Sequence, residues 1–585
     1  MSTTARARSD ERGAVAVVVA VFASVVFFGL GALSVDVARW YLEAQRAQKA
    51  ADAAALAGVT WMPQDLDQAT ATAREIAARN GFPDPASVTV RRGPHPSELD
   101  VTVSSTVTNS FGQLIGLART TVSRHTVADY TGPQPMASPC NTLGNEPDGT
   151  PGAGPIVSQL LVPVGAPCSR TPQFWMTVHG PDVAKTQGDQ YNVRRCEGGE
   201  SGCTTDGRNA EYRPEGYFLM VRVQAAAVGQ AVEVQLYDPA YVSTGSGCAD
   251  GPAGTFPTGP GRNSWNPNAT TDAATRYARA PGLFCSGDDR NQGHRLGGPE
   301  KATTTSFALR EPADDLNPLT ATPVAGCTRQ FPGYTTSQVN VNTLREGQPG
   351  YDPALARVFH QWVPLCTFTP TRAGDYYLQV RTNVVLGGTV DSATGSYQPA
   401  NPATSRVVTQ TGDDPSVTGN GSNRFAVRAF GASSGTVSVA AWGRMPIFAN
   451  ADAATPVFNL IRVLPGAAGK TLVFGFFDVG DAASNGTLTV LRPADATGAA
   501  LSACTATGFR AATLPTCSLT GIRSSAGWNG QSETISVPIP PDYDCAYASA
   551  GGCWFRVQVG FGTGSVTDAT TWTASIAGDP VRLVE

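Results

Sequence analysis

The longest uncharged stretch of the chain constrains its fold more than any other feature. Residues 14–35 read AVAVVVAVFASVVFFGLGALSV, which is 22 residues without a charged side chain. As a helix this stretch is about 33 Å long, enough to cross the hydrocarbon core of a bilayer. A cleaved secretory signal has a shorter apolar region, followed by a small-x-small cleavage site. The stretch therefore predicts a retained transmembrane helix over 14–35.

The residues before this helix predict its orientation. Arg6, Arg8 and Arg12 precede it, and positive charge collects on the cytoplasmic side of membranes. We therefore expect a cytoplasmic N-terminus at 1–13, a single membrane pass, and the bulk of the chain on the extracytoplasmic side. The net charge is −5 and the chain has no basic tract, so nucleic-acid binding is not expected.

The cysteines point to the same compartment. All twelve lie beyond residue 139, and none has CxxC spacing. Such usage favours disulfides over a zinc site, and disulfides persist outside the cytosol. The simplest arrangement pairs sequence neighbours, for example Cys196–Cys203 and Cys545–Cys553. The sequence leaves the pairing open, and buried free thiols are the alternative.

No turn follows the apolar stretch. The segment VDVARWYLEAQRAQKAADAAALAG is rich in alanine, the best helix former, so we expect the same helix to extend over 36–60. Asp36 then marks the point where the helix leaves the bilayer, with Arg39 close enough to pair with it. Trp40 and Tyr41 are expected at the lipid headgroups.

Small residues suggest where this helix could contact others. Ala44, Ala47 and Ala51 recur at helical spacing in the extension, and Gly29 and Gly31 lie in the apolar stretch. Small side chains allow close approach of two helices, so these five residues are candidates for helix–helix contact. The alternative is an ordinary exposed face of an alanine-rich helix.

The rest of the chain predicts an α+β protein that is mainly β outside the membrane. Between 61 and 130 we expect a small α/β segment. It comprises a short helix at ATAREIAARNGF, a hairpin of strands 87–92 and 99–107, a helix or loop at SFGQLIGL, and a final strand at TTVSRHTVADY.

Two antiparallel β-sandwich-like domains are expected beyond a Gly/Pro-rich linker at 131–155. Their predicted ranges are 156–410 and 424–585, with a second linker at 411–423. The segments VQLYDPA and FGFFDVGDA each end an apolar strand on an aromatic residue and Asp, which suggests that the two domains are related. Loops such as 249–300 are longer than a compact sandwich needs, so we interpret them as insertions or flexible arms.

Two short motifs resemble catalytic or nucleotide-binding loops. GASSG at 431–435 matches the GxSxG nucleophile elbow, but a strand-like segment follows it and the chain has no histidine after His360. We therefore expect a hairpin loop. PGAAGKTL at 465–472 has Leu464 where a phosphate loop needs glycine, and a strand-like segment follows, so a β-turn is expected.

Metal and cofactor sites have little support in the sequence. The five histidines are scattered, without HExxH spacing. Acidic turns at 286–291, 412–416 and 478–486 offer oxygen ligands but not the DxDxDG spacing of calcium loops, so solvated turns are expected. We assign no catalytic, cofactor-binding or metal residue, and we expect a protein that is not an enzyme.

The N-terminal segment resembles a known family. RGAVAV at the membrane entrance, VDVAR at its exit and the following AQRAQKAADAAALAG are together similar to TadE/TadG-like proteins of the tight-adherence (Flp pilus) assembly system. The resemblance covers residues 12–58 well and 59–130 loosely. It implies a membrane-anchored component of pilus assembly and surface adhesion, with other pilus-assembly proteins as partners of the N-terminal helix.

Two features depart from the family's patterns. Pilin-like members that are processed carry glutamate five residues after the cleavage-site glycine, whereas Val18 stands there after Gly13. The DxSxS metal motif of some TadG-like proteins is also missing, since DSATG has Ala393 at its middle position. The competing interpretation of the whole chain is a membrane-tethered extracytoplasmic adhesin or binding protein that is independent of any pilus.

Overall fold

A computed structural model describes most of the chain. The described residues are 11–62, 66–94, 97–130, 136, 142–144, 174–242, 288–290, 303–313, 317–335, 347, 349–359, 362–382, 389–390, 397–398, 419–433, 435–451, 457–479, 485–547, 552–560, 566–577 and 581–584. The long loop expected at 249–300 lies outside them, apart from 288–290. The contacts divide the chain into two compact units, 1–130 with 581–585, and 131–580.

The first unit is built on one long helix. Helix α1 (Glu11–Gly58) runs without interruption for 48 residues, about 72 Å. The expected span and its extension are therefore one helix, as the alanine-rich sequence predicted. The apolar part is long enough to cross a membrane, and its most apolar 18 residues are not buried within the protein.

A second helix and a sheet complete this unit. Helix α2 spans Leu66–Arg79. The strands are β1 (Val88–Arg92), β2 (Glu98–Thr108), β3 (Arg119–Tyr130) and β27 (Val581–Leu583), paired antiparallel in the order β1–β2–β3–β27. The hairpin and the third strand predicted from alternation are confirmed, and SFGQLIGL forms a 3-10 turn at Gly112–Ile115.

The core of the first unit lies between the helices and the sheet. Ala47, Ala51 and Ala54 of α1 are fully buried, and so are Leu99 and Val101 of β2. Alanine on the helix lets the sheet approach closely, while alternate residues of β2 point their larger side chains at it.

The second unit is almost entirely β. Its first strands are β4 (Thr142–Leu143), β5 (Phe174–His179), β6 (Tyr217–Val223), β7 (Val232–Tyr237), β8 (Asp289–Arg290), β9 (Thr305–Arg310), β10 (Pro323–Phe331), β11 (Trp362–Phe368), β12 (Gly374–Thr382), β13 (Thr389–Val390), β14 (Tyr397–Gln398), β15 (Gly421–Phe430) and β16 (Val437–Ala441). Helix α3 (Pro353–Val358) lies between β10 and β11. The later strands are β17 (Arg444–Ala451), β18 (Val457–Arg462), β19 (Thr471–Phe477), β20 (Gly486–Leu491), β21 (Cys504–Gly508), β22 (Ala512–Leu514), β23 (Ser518–Ile522), β24 (Ser532–Pro538), β25 (Trp554–Gly560) and β26 (Val566–Ala577).

These strands form one large central sheet and three smaller sheets. The central sheet follows β11–β7–β15–β5–β17–β26–β19–β24–β21–β22, with β4 and β8 also paired to β15. The other orders are β10–β9–β12–β6–β16, β23–β20–β25–β18 and β13–β14. Buried residues such as Val234 of the central sheet, Val221 of β6 and Leu488 of β20 belong to one hydrophobic core. The expected α+β class with antiparallel, sandwich-like β domains is confirmed.

The two halves of this unit repeat the same strand order. Along the central sheet, β11–β7–β15–β5 corresponds to β24–β19–β26–β17, and the halves join where β5 pairs with β17. In the smaller sheets, β10–β9–β12–β6 corresponds to β23–β20–β25–β18. The segments 217–240 and 457–480 match at a constant offset, and the second strand of each is followed by an Asp in the left-handed region, Asp238 after β7 and Asp478 after β19.

The domain ranges expected from the sequence stay a prediction. The strand pairings show which residues in and beside the two expected linkers contact the sheets. β15 begins within the linker expected at 411–423 and β16 lies beyond it, yet they pair with β7 and β6. In the linker expected at 131–155, Met136 bridges to Ala441 and Ile461, and β4 pairs with β15. Gly-rich composition marks a turn or loop equally well inside a sandwich and between two domains, so composition alone does not separate them.

Disulfides tie the second unit together. The structure has Cys196–Cys203 and Cys545–Cys553, the two neighbour pairs given as examples above, and also Cys327–Cys366 and Cys504–Cys517. Cys327 lies in β10 and Cys366 in β11, so this bond joins the five-stranded sheet to the central sheet. Cys140, Cys168, Cys248 and Cys285 lie outside the described residues.

Candidate functional site

Asp36 anchors a loop to the helix at the end of the apolar stretch. Its side chain is fully buried and accepts three backbone hydrogen bonds, from the N–H groups of Ser110 (2.8 Å), Phe111 (2.9 Å) and Gly112 (2.7 Å). These groups begin the 3-10 turn in the loop between β2 and β3. A carboxylate that receives several N–H groups stabilises a turn much as it caps a helix.

The next helical turn holds the same loop. Trp40 Nε1 donates to Asn109 Oδ1 at 2.7 Å, and Arg39 donates to the Ser110 hydroxyl. Asn109 in turn donates to the backbone oxygen of Leu117 at 2.8 Å, which closes the loop on itself. We call residues 36–40 together with the loop 109–117 the exit clamp.

The contacts of the exit clamp differ in part from the roles expected for Asp36, Trp40 and Tyr41. Asp36 does lie at the end of the apolar stretch, but its hydrogen bonds come from loop N–H groups, while Arg39 donates to Ser110 and acts on Asp36 through its charge. Trp40 is half-buried against the loop, whereas Tyr41 is 64% exposed, and their expected place at the lipid headgroups stays a prediction. Sequence reasoning missed the loop because its residues lie more than 70 positions away along the chain.

The charge on Asp36 is favoured by its surroundings. Burial alone would raise the pKa of this carboxyl, but the three N–H donors and the nearby Arg39 hold the pKa below its ordinary value. Asp36 is therefore ionised at neutral pH and acts as a fixed acceptor. It is a structural anchor, because its oxygens are already occupied by the loop.

An open depression lies above the exit clamp. Its volume is about 680 Å³. Its lining is Arg39, Leu42, Glu43, Arg46, Val107, Thr108, Asn109, Ser110 and Gln113. Glu43 accepts a hydrogen bond from Ser105 at 2.6 Å, so the depression has one fixed carboxylate and two exposed arginines. The shape and charge suit polar groups at a surface rather than an enclosed substrate.

The small residues proposed for helix–helix contact fall into two groups. Ala47 and Ala51 are fully buried against the chain's own sheet, and Ala44 is 7% exposed. Their expected contact with other pilus proteins is therefore corrected, because the fold of the first unit already covers them. Gly29 and Gly31 have no atom within 4 Å of an added Cβ, so the described chain leaves them open.

The two motifs that resemble a nucleophile elbow and a phosphate loop lie in connections between strands. GASSG joins β15 to β16, which belong to different sheets, so it is a sheet-to-sheet connection rather than the expected hairpin loop. PGAAGKTL contains a 3-10 turn at Pro465–Ala467 and then enters β19, without the helix that a phosphate loop requires.

The two metal-ligand-like clusters in the described residues both contain a disulfide. One groups Glu200 with Cys196 and Cys203, and the other groups Asp495 with Cys545 and Cys553. A sulfur bonded to another sulfur does not act as a thiolate ligand. These clusters therefore do not offer a metal the donor set that their residue types suggest.

A buried polar network in the second unit was not foreseen from the sequence. Asp189 accepts hydrogen bonds from the Tyr217 hydroxyl (2.5 Å) and the Asn192 N–H (2.9 Å), and His179 Nδ1 lies 3.4 Å from its other oxygen. Burial works to raise the pKa of Asp189, but His179, Tyr217 and Asn192 hold it below the ordinary value. The network fixes the segment 181–213 against the sheets.

Comparison with known proteins agrees with the N-terminal architecture. Residues 13–71 match the model of the family described as putative Flp pilus-assembly TadE/G-like. This segment is TadE/G-like. It includes nearly all of α1 and the start of α2, so the resemblance expected from RGAVAV and VDVAR is confirmed. The TadE/G-like segment contains Asp36 and Trp40 but not the loop that they hold.

The remaining comparisons add little. No curated protein matches the chain. Among solved structures, one similar chain is the N-terminal CBM22-1–CBM22-2 tandem domain of Xyn10C from Paenibacillus barcinonensis. It is 10% identical, covers 60% of this chain and 80% of that chain, and has a TM-score of 0.14. A TM-score this low does not support a shared fold.

Proposed function

We propose that the chain is a membrane-anchored, TadG-like component of a Flp pilus-assembly system, with a structural or assembly role and no enzymatic activity. The observation that carries this proposal is the match of residues 13–71 to the TadE/G-like family. In this proposal the N-terminus is cytoplasmic and both compact units lie outside. The arginines before the apolar stretch and the four disulfides among the described residues support that orientation.

The exposed side chains of α1 support a membrane anchor. Phe22 is 72% exposed and Phe27 is 75% exposed, and valines on the same helix are similarly uncovered. Burying one large apolar side chain is worth roughly 1.5–3 kcal/mol, so leaving this helix in water is strongly unfavourable. A lipid bilayer removes that cost along the whole stretch 14–35.

The exit clamp indicates where the extracytoplasmic surface of the membrane would lie along α1. Since Asp36 follows the apolar stretch directly, the loop that it binds lies at the height where the helix leaves the hydrocarbon. The headgroup layer is roughly 5–7 Å thick, about four residues of helix. Phe111 (41% exposed) and Leu117 (52% exposed) lie in this loop and would rest in that layer.

Contact with other pilus-assembly proteins is assigned to the apolar stretch. Gly29 and Gly31 are uncovered, and small residues permit close helix packing in membranes. Residues two positions apart lie on nearly opposite faces of a helix, so one partner helix would use only one of these glycines. Single substitutions therefore separate the two faces.

The proposal is tested in the organism that carries the chain. Deleting the gene should abolish Flp pilus fibres in electron micrographs, and the wild-type chain should restore them. Normal fibres with lost surface adhesion would favour the pilus-independent adhesin instead. Normal fibres and normal adhesion would overturn the proposed function.

The helix contact is tested with Gly29→Leu and Gly31→Leu in the complementing chain. One of the two should lower co-purification with pilus-assembly proteins by about tenfold, because a bulky side chain separates the packed helices. Val21→Leu, an exposed position about 80° around the helix from both glycines, is the matched control and should leave co-purification unchanged. Equal co-purification by all three variants would contradict contact through either glycine.

A further inference from the structure

Lys185 is a buried lysine in a chain with very few lysines. The sequence contains four, at 49, 185, 301 and 470. Lys185 begins a short 3-10 turn within the segment 181–213 and is fully buried. A charged ammonium group is rarely buried unless several partners surround it, so its environment calls for an explanation.

Three oxygens surround the amine. Lys185 Nζ donates to Asn209 Oδ1 at 2.9 Å, to Glu211 Oε2 at 2.6 Å, and to the backbone oxygen of Ser201. Its amine also lies 5.2 Å from the centre of the Phe477 ring. The amine is thus held against a side-chain amide with a carboxylate beside it and an aromatic ring nearby.

The amide of Asn209 is held rigidly in this position. Its Oδ1 also accepts the backbone N–H of Glu211 at 3.1 Å, and its Nδ2 donates to the backbone oxygens of Gln190 (2.8 Å) and Val193 (2.7 Å). Asn209 itself is 6% exposed. An N–H directed at the carbonyl oxygen stabilises negative charge that develops there during attack on the carbon.

The surroundings also favour the reactive form of the amine. Burial lowers the pKa of Lys185, while Glu211 beside it works in the opposite direction. A lysine becomes a nucleophile when it loses its proton, and a desolvated site assists that loss. Glu211 is within hydrogen-bond reach, so it can accept the proton.

We propose that Lys185 and Asn209 become joined by an intramolecular isopeptide bond, with Glu211 transferring protons. Glu211 takes a proton from the ammonium, and the neutral Nζ attacks Cγ of Asn209. The Nζ–Cγ bond forms, and Glu211 then returns its proton to Nδ2 and takes a second proton from Nζ, which becomes the amide N–H. The Cγ–Nδ2 bond breaks, and Nδ2 leaves as ammonia, which carries the remaining proton away from Glu211 as ammonium. No oxidant, reductant or cofactor takes part.

This bond would link two positions within the segment 181–213, which contributes Asp189 and Asn192 to the buried polar network. The segment 181–213 also contains the disulfide Cys196–Cys203 and contacts later strands, for example through Thr571 Oγ1, which donates to the backbone oxygen of Gly188 at 2.7 Å. An isopeptide bond would survive reducing conditions that open the disulfide. Such a cross-link suits a chain that works outside the cell, and it does not depend on the pilus proposal.

The test is mass spectrometry of the full-length wild-type chain purified in detergent. After reduction of the disulfides, the intact mass should be lower than the sequence mass by one ammonia. Trypsin should leave Lys185 uncut and yield residues 171–194 joined to 209–222, whereas Lys470 in the same digest should be cleaved normally. An unshifted mass with separate peptides cut at Lys185 would overturn the proposal and leave an ordinary buried ion pair.

Variants assign the role of each group. Asn209→Ala should restore the missing mass and free Lys185 for trypsin. Glu211→Gln keeps a hydrogen-bonding side chain but cannot accept the proton as readily, so the joined fraction should fall at least about tenfold. Glu215→Gln, a nearby carboxylate that contacts Arg444 instead, is the matched control and should remain fully joined. Full joining in Glu211→Gln would overturn the role of Glu211.

Discussion

At the scale of single residues, Asp36 shows how a charge at the end of an apolar stretch can serve the fold that follows it. Its position is explained by the end of the apolar stretch, and its burial by the three N–H groups of residues 110–112. A buried carboxylate without such partners would be costly. The same side chain therefore ends the apolar stretch and fixes the nearest loop of the first unit.

The lowered pKa of Asp36 predicts a pH dependence of the exit clamp. Because the folded pKa lies below the unfolded value of about 3.9, the carboxylate form stabilises the fold. That stabilisation is complete above the unfolded value and is lost as the pH falls through the folded pKa. Protection of the amides of Ser110, Phe111 and Gly112 from hydrogen exchange should be constant near neutrality and fall in acid.

Asp36→Asn is the matched variant for this prediction. The amide offers a single neutral acceptor oxygen in place of two charged ones, so exchange of the same three amides should be about tenfold faster at neutral pH. The protection of these amides in the variant should no longer fall as the pH is lowered below about 4, where the wild type loses it. Identical pH profiles for the variant and the wild type would show that Asp36 does not govern the loop.

At the scale of elements, the alanine-rich part of α1 is a packing surface for its own chain. Ala47, Ala51 and Ala54 face α2 and the sheet, while Gln48 and Asp52 reach Thr126 of β3, at 2.8 Å and 2.5 Å. The helical spacing of the small residues was visible in the sequence. What covers them was not, since β2 and β3 lie far along the chain.

Ala51→Leu is expected to destabilise the first unit. The site is fully buried, and adding side-chain volume to a packed core usually costs about 1–3 kcal/mol. The free energy of unfolding can be followed in detergent through hydrogen exchange of β2 and β3. Ala71→Leu on an exposed position of α2 is the control and should have little effect. Equal stability of both variants would contradict the packing of this alanine face against the rest of the first unit.

At the scale of the whole molecule, the first unit is discontinuous in sequence. The chain leaves it after Tyr130 and returns at Val581, and these two residues are paired in adjacent strands. The second unit is thus an insertion between β3 and β27. No local pattern in the last residues predicted this pairing, because a three-residue strand is defined by its partner.

Removing residues 581–585 should expose the edge of β3. The N–H of Val584 donates to Val127, and Leu583 pairs with Ala128, so these contacts disappear with the deletion. Amide exchange at 127–130 should become at least about tenfold faster. Removal of residue 585 alone is the control and should leave exchange unchanged. Unaltered exchange after the longer deletion would contradict a stabilising role for β27.

The sequence by itself determined the features that depend on local pattern. The uncharged stretch and the alanines after it specify one continuous helix, strand alternation specifies the hairpin of the first unit, and the aromatic–Asp endings at Asp238 and Asp478 indicate the repeat. Each of these follows from helical or strand periodicity, or from a short conformational preference, within a few neighbouring residues.

Only the tertiary structure decided the features that join distant residues. These are the loop bound by Asp36, the sheet that covers Ala47 and Ala51, the return of β27, and the contact between Lys185 and Asn209. Hydrogen bonds and close packing act over a few ångströms in space, whatever the separation along the chain. The residue types were visible beforehand, but their partners were set by the fold.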